Sequence, residues 1–174
     1  MEIGSVRERI LIALLMYKFG IDIVDPNIPI TASEVDVIVN DTPLSIKTVT
    51  TNSERWNSIK LIWTVDAQKA IEFKNTYMPS CDMLVAKICW NGEGKLLLFS
   101  REAQCKILNE IGRDRYIKLP KENTNARGVE ITPMALSILE RCEDTRCINI
   151  NFYRKSIDYR EVYTKWLDAW REEY

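Results

Sequence analysis

Residues 34–48 constrain the fold most, because two runs of alternating apolar and polar residues flank a turn in EVDVIVNDTPLSIKT. In the first run, valines occupy every second position, so Asp36 lies on the opposite face. In the second run, Ser45 and Lys47 share one face. Positions 40–43 predict a turn, since Asn and Asp tolerate tight turns and Pro cannot donate to a ladder. The sequence therefore predicts a β-hairpin.

The polar face of this hairpin brings together Asp36, Ser45 and Lys47. When the runs pair, a carboxylate, a hydroxyl and an ammonium meet at one edge of the sheet. The apolar flanks indicate a central, packed hairpin, where unpaired charge is costly. A metal ion and a phosphate group would explain these charges. The alternative is an exposed face with an ordinary Asp–Lys cross-strand pair, worth roughly a few tenths of a kcal/mol.

The composition limits the possible chemistry. The chain has 174 residues, 46% hydrophobic and 28% charged, which predicts one globular domain over 1–174. It contains no histidine, which excludes His-based acid–base catalysis, Ser–His and Cys–His nucleophile pairs and most zinc sites. Five cysteines without C-x-x-C spacing argue against a secreted disulfide framework. An enzyme of this composition must use carboxylates, lysine, hydroxyls and a hard cation.

Charge and hydropathy address location and partners. The net charge is −1 and the pI about 5.7, so no global basic field predicts a protein that coats nucleic acid. A local patch in one cleft is still compatible with DNA binding. The apolar run 10–16 is too short to span a membrane, and no small-residue cleavage site follows it. We therefore expect a cytoplasmic protein without a membrane partner.

The remaining pattern predicts an α/β (α+β) fold with a mixed central sheet flanked by helices. Apolar residues recur at helical spacing after Ser5, and Gly20 is a natural helix stop. Two prolines favour a loop over 21–32, and the hairpin strands are placed at 33–39 and 44–50. Further strands are predicted over 59–63, 83–90, 95–100, 116–119 and 147–151, and further helices over 64–77, 100–112, 132–141 and 158–172.

The hairpin resembles the PD-(D/E)xK nuclease core that many type II restriction endonucleases share. Asp36 matches the first acid and Lys47 the lysine, whereas Ser45 stands where the family has its second acid. The resemblance implies a restriction-endonuclease-like core that binds Mg²⁺ through Asp36 and the backbone carbonyl of Ile46. It further implies that Lys47 orients or helps to deprotonate the attacking water, with Ser45 beside it in the catalytic set.

Glu8 has two interpretations. Nucleases that this chain resembles often place a glutamate from the first helix near the metal, and Glu8 could replace the acid missing at Ser45. Ser5-x-x-Glu8 also has the spacing of a capping box, in which Glu8 merely closes the helix start. Glu34, on the same predicted face as Asp36, is a weaker candidate for the missing acid.

Two segments are candidates for contact with double-stranded DNA. The polar segment after the hairpin offers hydroxyl, amide and ammonium groups that suit phosphate oxygens; its candidates are Thr51, Asn52 and Lys60. A second segment, 120–131, carries the side chains that read guanine and adenine edges. It is similar to restriction-enzyme segments; its candidates are Lys121, Asn123, Asn125 and Arg127, and Lys118 lies in a basic patch just upstream. Either segment could instead be a solvated loop.

The function expected from this resemblance is that of a Mg²⁺-dependent type II restriction endonuclease, a homodimer that cuts a short palindrome in double-stranded DNA. The aromatic face of the last helix, formed by Tyr159, Tyr163, Trp166 and Trp170, is expected to pack in the core or in the dimer. Two alternatives remain: a structure-selective or repair nuclease of the same fold, and a non-catalytic DNA-binding or scaffold protein with Ser45 as a lost acid.

Overall fold

A computed structural model describes residues 3–29, 34–52, 55–120, 128–154 and 160–172. The helices are α1 (Ile3–Phe19), α2 (Ala67–Thr76), α3 (Arg101–Ile111), α4 (Arg113–Tyr116), α5 (Pro133–Glu140) and α6 (Glu161–Glu172). The strands are β1 (Val24–Asp25), β2 (Val37–Val39), β3 (Thr42–Thr50), β4 (Ile59–Ile62), β5 (Asp82–Ile88), β6 (Gly92–Phe99), β7 (Ile117–Lys118), β8 (Val129–Ile131) and β9 (Arg146–Phe152).

The predicted hairpin is confirmed, with a tighter turn than expected. β2 and β3 are antiparallel and are joined by the two residues Asn40 and Asp41, both at positive φ (48° and 60°). Asn and Asp adopt this conformation more readily than other side chains, which makes the pair a good two-residue hairpin turn. Pro43, which we assigned to the turn, lies in β3 opposite Ile38.

The main sheet is mixed and has the strand order β1-β2-β3-β5-β6-β9. β3 and β5 run parallel, and the other neighbours are antiparallel. This arrangement confirms the predicted fold class. β4, β8 and β7 form a separate three-stranded sheet, which the sequence pattern did not distinguish from the main one.

Each face of the main sheet packs against different helices. Leu44 and Ile46 of β3 lie in a cluster that contacts Leu15 and other apolar residues of α1. Val49, on the opposite face of β3, lies in the larger cluster, which α3, α5 and the second sheet complete. Lys47 alternates with Ile46, so it lies on the same face as Val49, toward the larger cluster.

Two expectations about the helices are wrong. The first helix begins at Ile3, so Ser5 lies inside it and cannot be the N-cap of a capping box. The end was predicted correctly: Gly20 follows α1 with a φ of 100°, and its N–H donates to the Met16 carbonyl at 2.8 Å. At α2 the N-cap is Asp66, which accepts from the N–H groups of its first turn, and the helix therefore starts later than position 64.

The aromatic face of α6 does not lie in the core of the chain. Tyr163, Trp166 and Trp170 are 60–65% exposed, and Tyr159 lies outside the described residues. The expectation of core packing is therefore wrong for these three side chains, while dimer packing stays a prediction. Across the described ranges, no helix is long and apolar enough to cross a membrane.

Candidate active site

Asp36 lies where the two hairpin strands separate, and it gathers the groups that the sequence predicted. Its Oδ2 accepts hydrogen bonds from the Ser45 hydroxyl at 3.2 Å and from the Ile46 N–H at 2.6 Å. The Lys47 ammonium lies 3.4 Å from the same oxygen. In the described part of the chain no donor bonds Oδ1, so half of the carboxylate is available for a ligand.

The separation of the strands produces this geometry. The β2–β3 ladder ends at the Val37–Leu44 pair, yet the Asp36 N–H also donates to the Leu44 carbonyl, at 3.0 Å. Asp36 and Val37 thus both lie opposite Leu44, as in a β-bulge, and a bulge changes the direction of a side chain. The Ile46 N–H, which a longer ladder would pair with backbone, binds the Asp36 carboxylate instead.

The Ile46 carbonyl points toward the same open edge. In a strand the N–H and C=O of one residue point to the same neighbouring strand. The N–H of Ile46 faces Asp36, whereas the N–H of Thr51 donates to the Ile88 carbonyl on the β5 side. The carboxylate of Asp36 and the carbonyl of Ile46 therefore border one space.

The three polar side chains of this site differ in their exposure to solvent. Ser45 is completely buried, whereas the side chains of Lys47 and Asp36 are 17% and 29% exposed. The ammonium and the carboxylate thus remain reachable at the sheet edge, while the hydroxyl serves as an internal donor. Partial burial in a low-dielectric surrounding strengthens the attraction between Lys47 and Asp36 relative to a fully solvated pair.

Glu8 lies in the early turns of α1, a helix that contacts β3. Its neighbour Arg7 donates to the Thr50 hydroxyl at 2.9 Å, which fixes these turns to that strand. Glu8 itself is half-buried. Because the helix starts at Ile3, the capping interpretation of Glu8 no longer holds.

Glu34 is held away from Asp36 by other groups. Its Oε1 accepts from the Tyr77 hydroxyl at 2.8 Å, and its Oε2 accepts from the Ser80 N–H at 2.9 Å and from the Ser80 hydroxyl. Burial, and then the Glu34 carboxylate, raise the pKa of Tyr77 above its usual value. Both Glu34 oxygens are therefore occupied. Across the described ranges, no group of three or more His, Cys, Asp or Glu side chains is placed to hold a metal ion.

The candidate phosphate contacts after the hairpin differ in exposure. Asn52 is exposed, but Thr51 is buried, and its hydroxyl donates to the Arg55 carbonyl at 2.9 Å, so Thr51 stabilises its own loop. Lys60 is exposed on β4, with its ammonium 6.0 Å from the centre of the Trp63 ring.

The second sheet presents the other predicted cations. Glu130 of β8 pairs in register with Lys60 on one side and with Lys118 on the other. The Lys118 ammonium is 3.4 Å from the Glu130 carboxylate. The four candidates of the segment 120–131, Lys121, Asn123, Asn125 and Arg127, lie outside the described residues.

Gly128 fixes the end of that segment against β4. It has a φ of 103°, its N–H donates to the Thr64 carbonyl at 2.9 Å, and a Cβ here would lie 2.2 Å from the Ile62 carbonyl oxygen. Only glycine tolerates both the conformation and the close approach.

The structure contains a second charged cluster that the sequence did not predict. Glu140 of α5 accepts from Trp56 Nε1 and from the Lys95 ammonium, both at 2.6 Å, and Lys87 lies 3.7 Å away. The Lys87 ammonium also lies 4.4 Å from the centre of the Trp56 ring. Burial raises the pKa of Glu140, but the bonds from Lys95 and Trp56 and the charge of Lys87 outweigh it and hold that pKa below its usual value. No local spacing could reveal this cluster, because its members come from four separate segments.

Comparison with known proteins identifies the class. A family model described as "Restriction endonuclease ThaI" matches residues 1–172. A solved structure described as "Restriction endonuclease in complex with substrate DNA" is 43% identical, with a TM-score of 0.89 over 99% of this chain and 81% of that chain. No curated protein matches the sequence. These matches place the chain among the type II restriction endonucleases, enzymes that act on DNA.

Because the family model spans nearly the whole sequence, the chain belongs to the ThaI restriction endonuclease family. It is a site-specific deoxyribonuclease, as the hairpin resemblance implied. Restriction endonucleases of this kind generally use a divalent metal ion.

Proposed function

We propose that the Asp36 edge of the hairpin is the catalytic centre and that Mg²⁺ is its metal ion. The observation that supports this most is the Asp36 carboxylate, with one oxygen bound by three groups of β3 and the other without a donor among the described residues. Carboxylate and carbonyl oxygens are ligands that Mg²⁺ prefers, and it commonly takes one or two carboxylates, several waters and substrate phosphates. The residues present therefore fit this ion.

In this proposal Asp36 and the Ile46 carbonyl hold the ion, which would polarise the scissile phosphate. Lys47 orients or helps to deprotonate the water that attacks phosphorus, and its charge offsets the charge that develops on the phosphoryl oxygens as the P–O bond breaks. Ser45 contributes by holding Asp36 in place through its hydroxyl.

Glu8 is the proposed source of the third ligand, directly or through a water. The helix start at Ile3 removes its capping role, and Arg7 fixes this part of α1 to β3. Glu8→Gln keeps the size of the side chain and removes its charge. We expect cleavage to collapse with an unchanged melting temperature; a variant that cuts at the wild-type rate would remove Glu8 from the site.

The second sheet and the segment that follows β7 are the proposed DNA-reading surface. Lys60 and Lys118, with Asn52, would contact phosphates, while Arg127 and its neighbouring Asn125 would read base edges. Arg127→Ala should weaken cognate binding by about 1–3 kcal/mol and leave scrambled duplex almost unaffected. Lys118→Ala should weaken both duplexes together and flatten the salt dependence. An equal loss on both duplexes for Arg127→Ala would make Arg127 a phosphate contact.

A homodimer that cuts a short palindrome completes the proposal. Two-fold protein symmetry matches the two-fold symmetry of a palindrome. The exposed aromatic face of α6, with Tyr163, Trp166 and Trp170, supports it, since large exposed apolar groups on one helix face mark contact surfaces. We also infer a cytoplasmic location, which the five free cysteines support.

The test is cleavage of phage DNA with Mg²⁺, with and without EDTA, followed on a gel. Discrete bands that disappear with EDTA are expected. A metal-dependent smear would indicate a non-specific or structure-selective nuclease, and intact DNA under all divalent ions would contradict the proposal.

A further inference from the structure

Glu34 forms a long-range contact two residues before Asp36. Its carboxylate accepts from Tyr77, and from both the N–H and the hydroxyl of Ser80, residues that follow α2 along the chain. These partners are 43 and 46 positions away in the sequence. The contact therefore ties the segment before β2 to the α2–β5 connection.

The α2–β5 connection is itself firmly held. Tyr77 is buried, and its N–H donates to the Phe73 carbonyl at 2.8 Å. Arg101 donates to the Pro79 carbonyl at 3.1 Å, and Arg113 donates to the Tyr77 carbonyl. Glu34 is thus bonded to a fixed part of the protein.

The position of this contact coincides with the end of the hairpin ladder. Residues 34–36 precede β2 and have no ladder partner, and Leu44 both pairs in register with Val37 and accepts from the Asp36 N–H, in the manner of a bulge. Had the ladder continued, backbone groups would take the Ile46 N–H that Asp36 now binds. A bond that directs Glu34 toward Tyr77 and Ser80 keeps that edge of β3 open.

We propose that Glu34 is a positioning residue, which keeps the hairpin edge open and holds the Asp36 carboxylate against Ile46. The inference rests on the proposed function of Asp36 as a metal ligand. It also replaces the earlier idea that Glu34 supplies the missing acid, because three donors already occupy its oxygens.

The first experiment measures the Mg²⁺ concentration that gives half-maximal cleavage. Glu34→Ala and Tyr77→Phe should each raise it, by about tenfold for Glu34→Ala and less for Tyr77→Phe, since groups that orient metal ligands typically contribute this much to metal affinity. Glu34→Gln should stay close to wild type, because an amide oxygen can still accept from Tyr77 or Ser80. Affinity for cognate duplex in EDTA should not change.

Tyr116→Phe is the matched control. Its hydroxyl is also buried but has no hydrogen-bond partner among the described residues. Removing it tests the loss of a buried tyrosine hydroxyl without removing a hydrogen bond to Glu34, and the Mg²⁺ dependence should remain that of wild type.

Hydrogen exchange of the metal-free protein provides a readout that is independent of activity. In Glu34→Ala and Tyr77→Phe, amides of 34–37 and 44–47 should exchange faster, while the core strands β5 and β6 should not change. Uniform acceleration across all strands, or normal exchange and Mg²⁺ dependence in both variants, would overturn the inference. The inference would also be overturned if Glu34→Gln were as inactive as Glu34→Ala while Tyr77→Phe behaved as wild type. That result would mean that the negative charge of Glu34 is required at the metal. Cleavage that survives Asp36→Ala would instead contradict the proposed active site.

Discussion

Two carboxylates beside the main sheet, Asp36 before β2 and Glu140 at the end of α5, bind lysines in opposite ways. Glu140 uses both oxygens: Oε1 with Lys95 and Oε2 with Trp56, and with Lys87 at 3.7 Å. Asp36 concentrates its three contacts on Oδ2, and no donor among the described residues bonds Oδ1. A partly buried ion cluster in which both carboxylate oxygens are bonded stabilises the fold, whereas a carboxylate with an unbonded oxygen can still bind a ligand.

Both clusters lie on one face of the sheet. Lys87 pairs in register with Val49, which follows Lys47 by two positions, and Lys95 pairs with Lys87. The functional difference therefore comes from what surrounds each carboxylate. Trp56, Lys87 and Lys95 contact both oxygens of Glu140, while the separation of β2 from β3 leaves the Asp36 carboxylate bonded through Oδ2 alone among the described residues.

Lys47→Ala should have a large effect on catalysis. We expect cleavage to fall by about a hundredfold to ten-thousandfold, because the water loses its orienting group and the phosphate loses a positive charge. The melting temperature should change little. Single-turnover cleavage at saturating Mg²⁺ measures the loss. A variant that cuts at more than about a tenth of the wild-type rate, a barrier change under 1.4 kcal/mol, would contradict the catalytic role of Lys47.

Glu140→Gln should instead reduce stability. Two lysines would lose a partly buried countercharge, and the free energy of unfolding should fall by about 1–3 kcal/mol. Urea unfolding measures this loss, and cleavage below the unfolding transition should remain close to wild type. Full stability together with lost cleavage would assign Glu140 to the reaction.

The pH dependence of the free energy of unfolding tests whether folding lowers the pKa of Glu140. The pKa of Glu140 is lower in the folded protein than in the unfolded chain, so its charged form favours folding. This contribution is complete above the usual carboxyl pKa and is lost as the pH falls through the folded value. The difference in stability between wild type and Glu140→Gln should therefore shrink in acid. A difference that grows in acid would contradict the lowered pKa.

Ser45→Ala should have the smallest effect. Asp36 keeps its bonds to Ile46 and Lys47, so we expect the loss of one of its three donors to lower the cleavage rate only a few-fold, or about 1 kcal/mol of barrier. Single-turnover rates test this. An inactive Ser45→Ala enzyme that folds and binds DNA would mean that the hydroxyl itself participates in the reaction.

The sequence predicted what depends on local pattern. Period-two alternation placed Asp36, Ser45 and Lys47 together, and the helices predicted from 100 and 132 do begin there, with Ser100 and Thr132 as their N-caps. These features depend on residues close in the chain, so spacing alone reveals them.

What the sequence did not predict depends on distant contacts. Glu140 meets Trp56 across 84 positions, and Glu34 meets Tyr77 across 43. The two-residue strand β1 lies in a segment whose prolines favoured a loop, and it forms because β2 offers an edge. The start of α1 was misplaced because a favourable cap spacing at Ser5 does not exclude an earlier first turn.

Asp36→Ala tests most directly whether Asp36 lies in the catalytic centre, with cleavage and DNA binding measured on the same preparation. Binding to cognate duplex in EDTA should survive or tighten, because one repulsion between a carboxylate and phosphate is lost. Cleavage with Mg²⁺ should fall by about a thousandfold or more, roughly 4 kcal/mol of barrier. An Asp36→Ala enzyme that binds normally and still cuts within about tenfold of wild type would place the catalytic centre elsewhere in the chain.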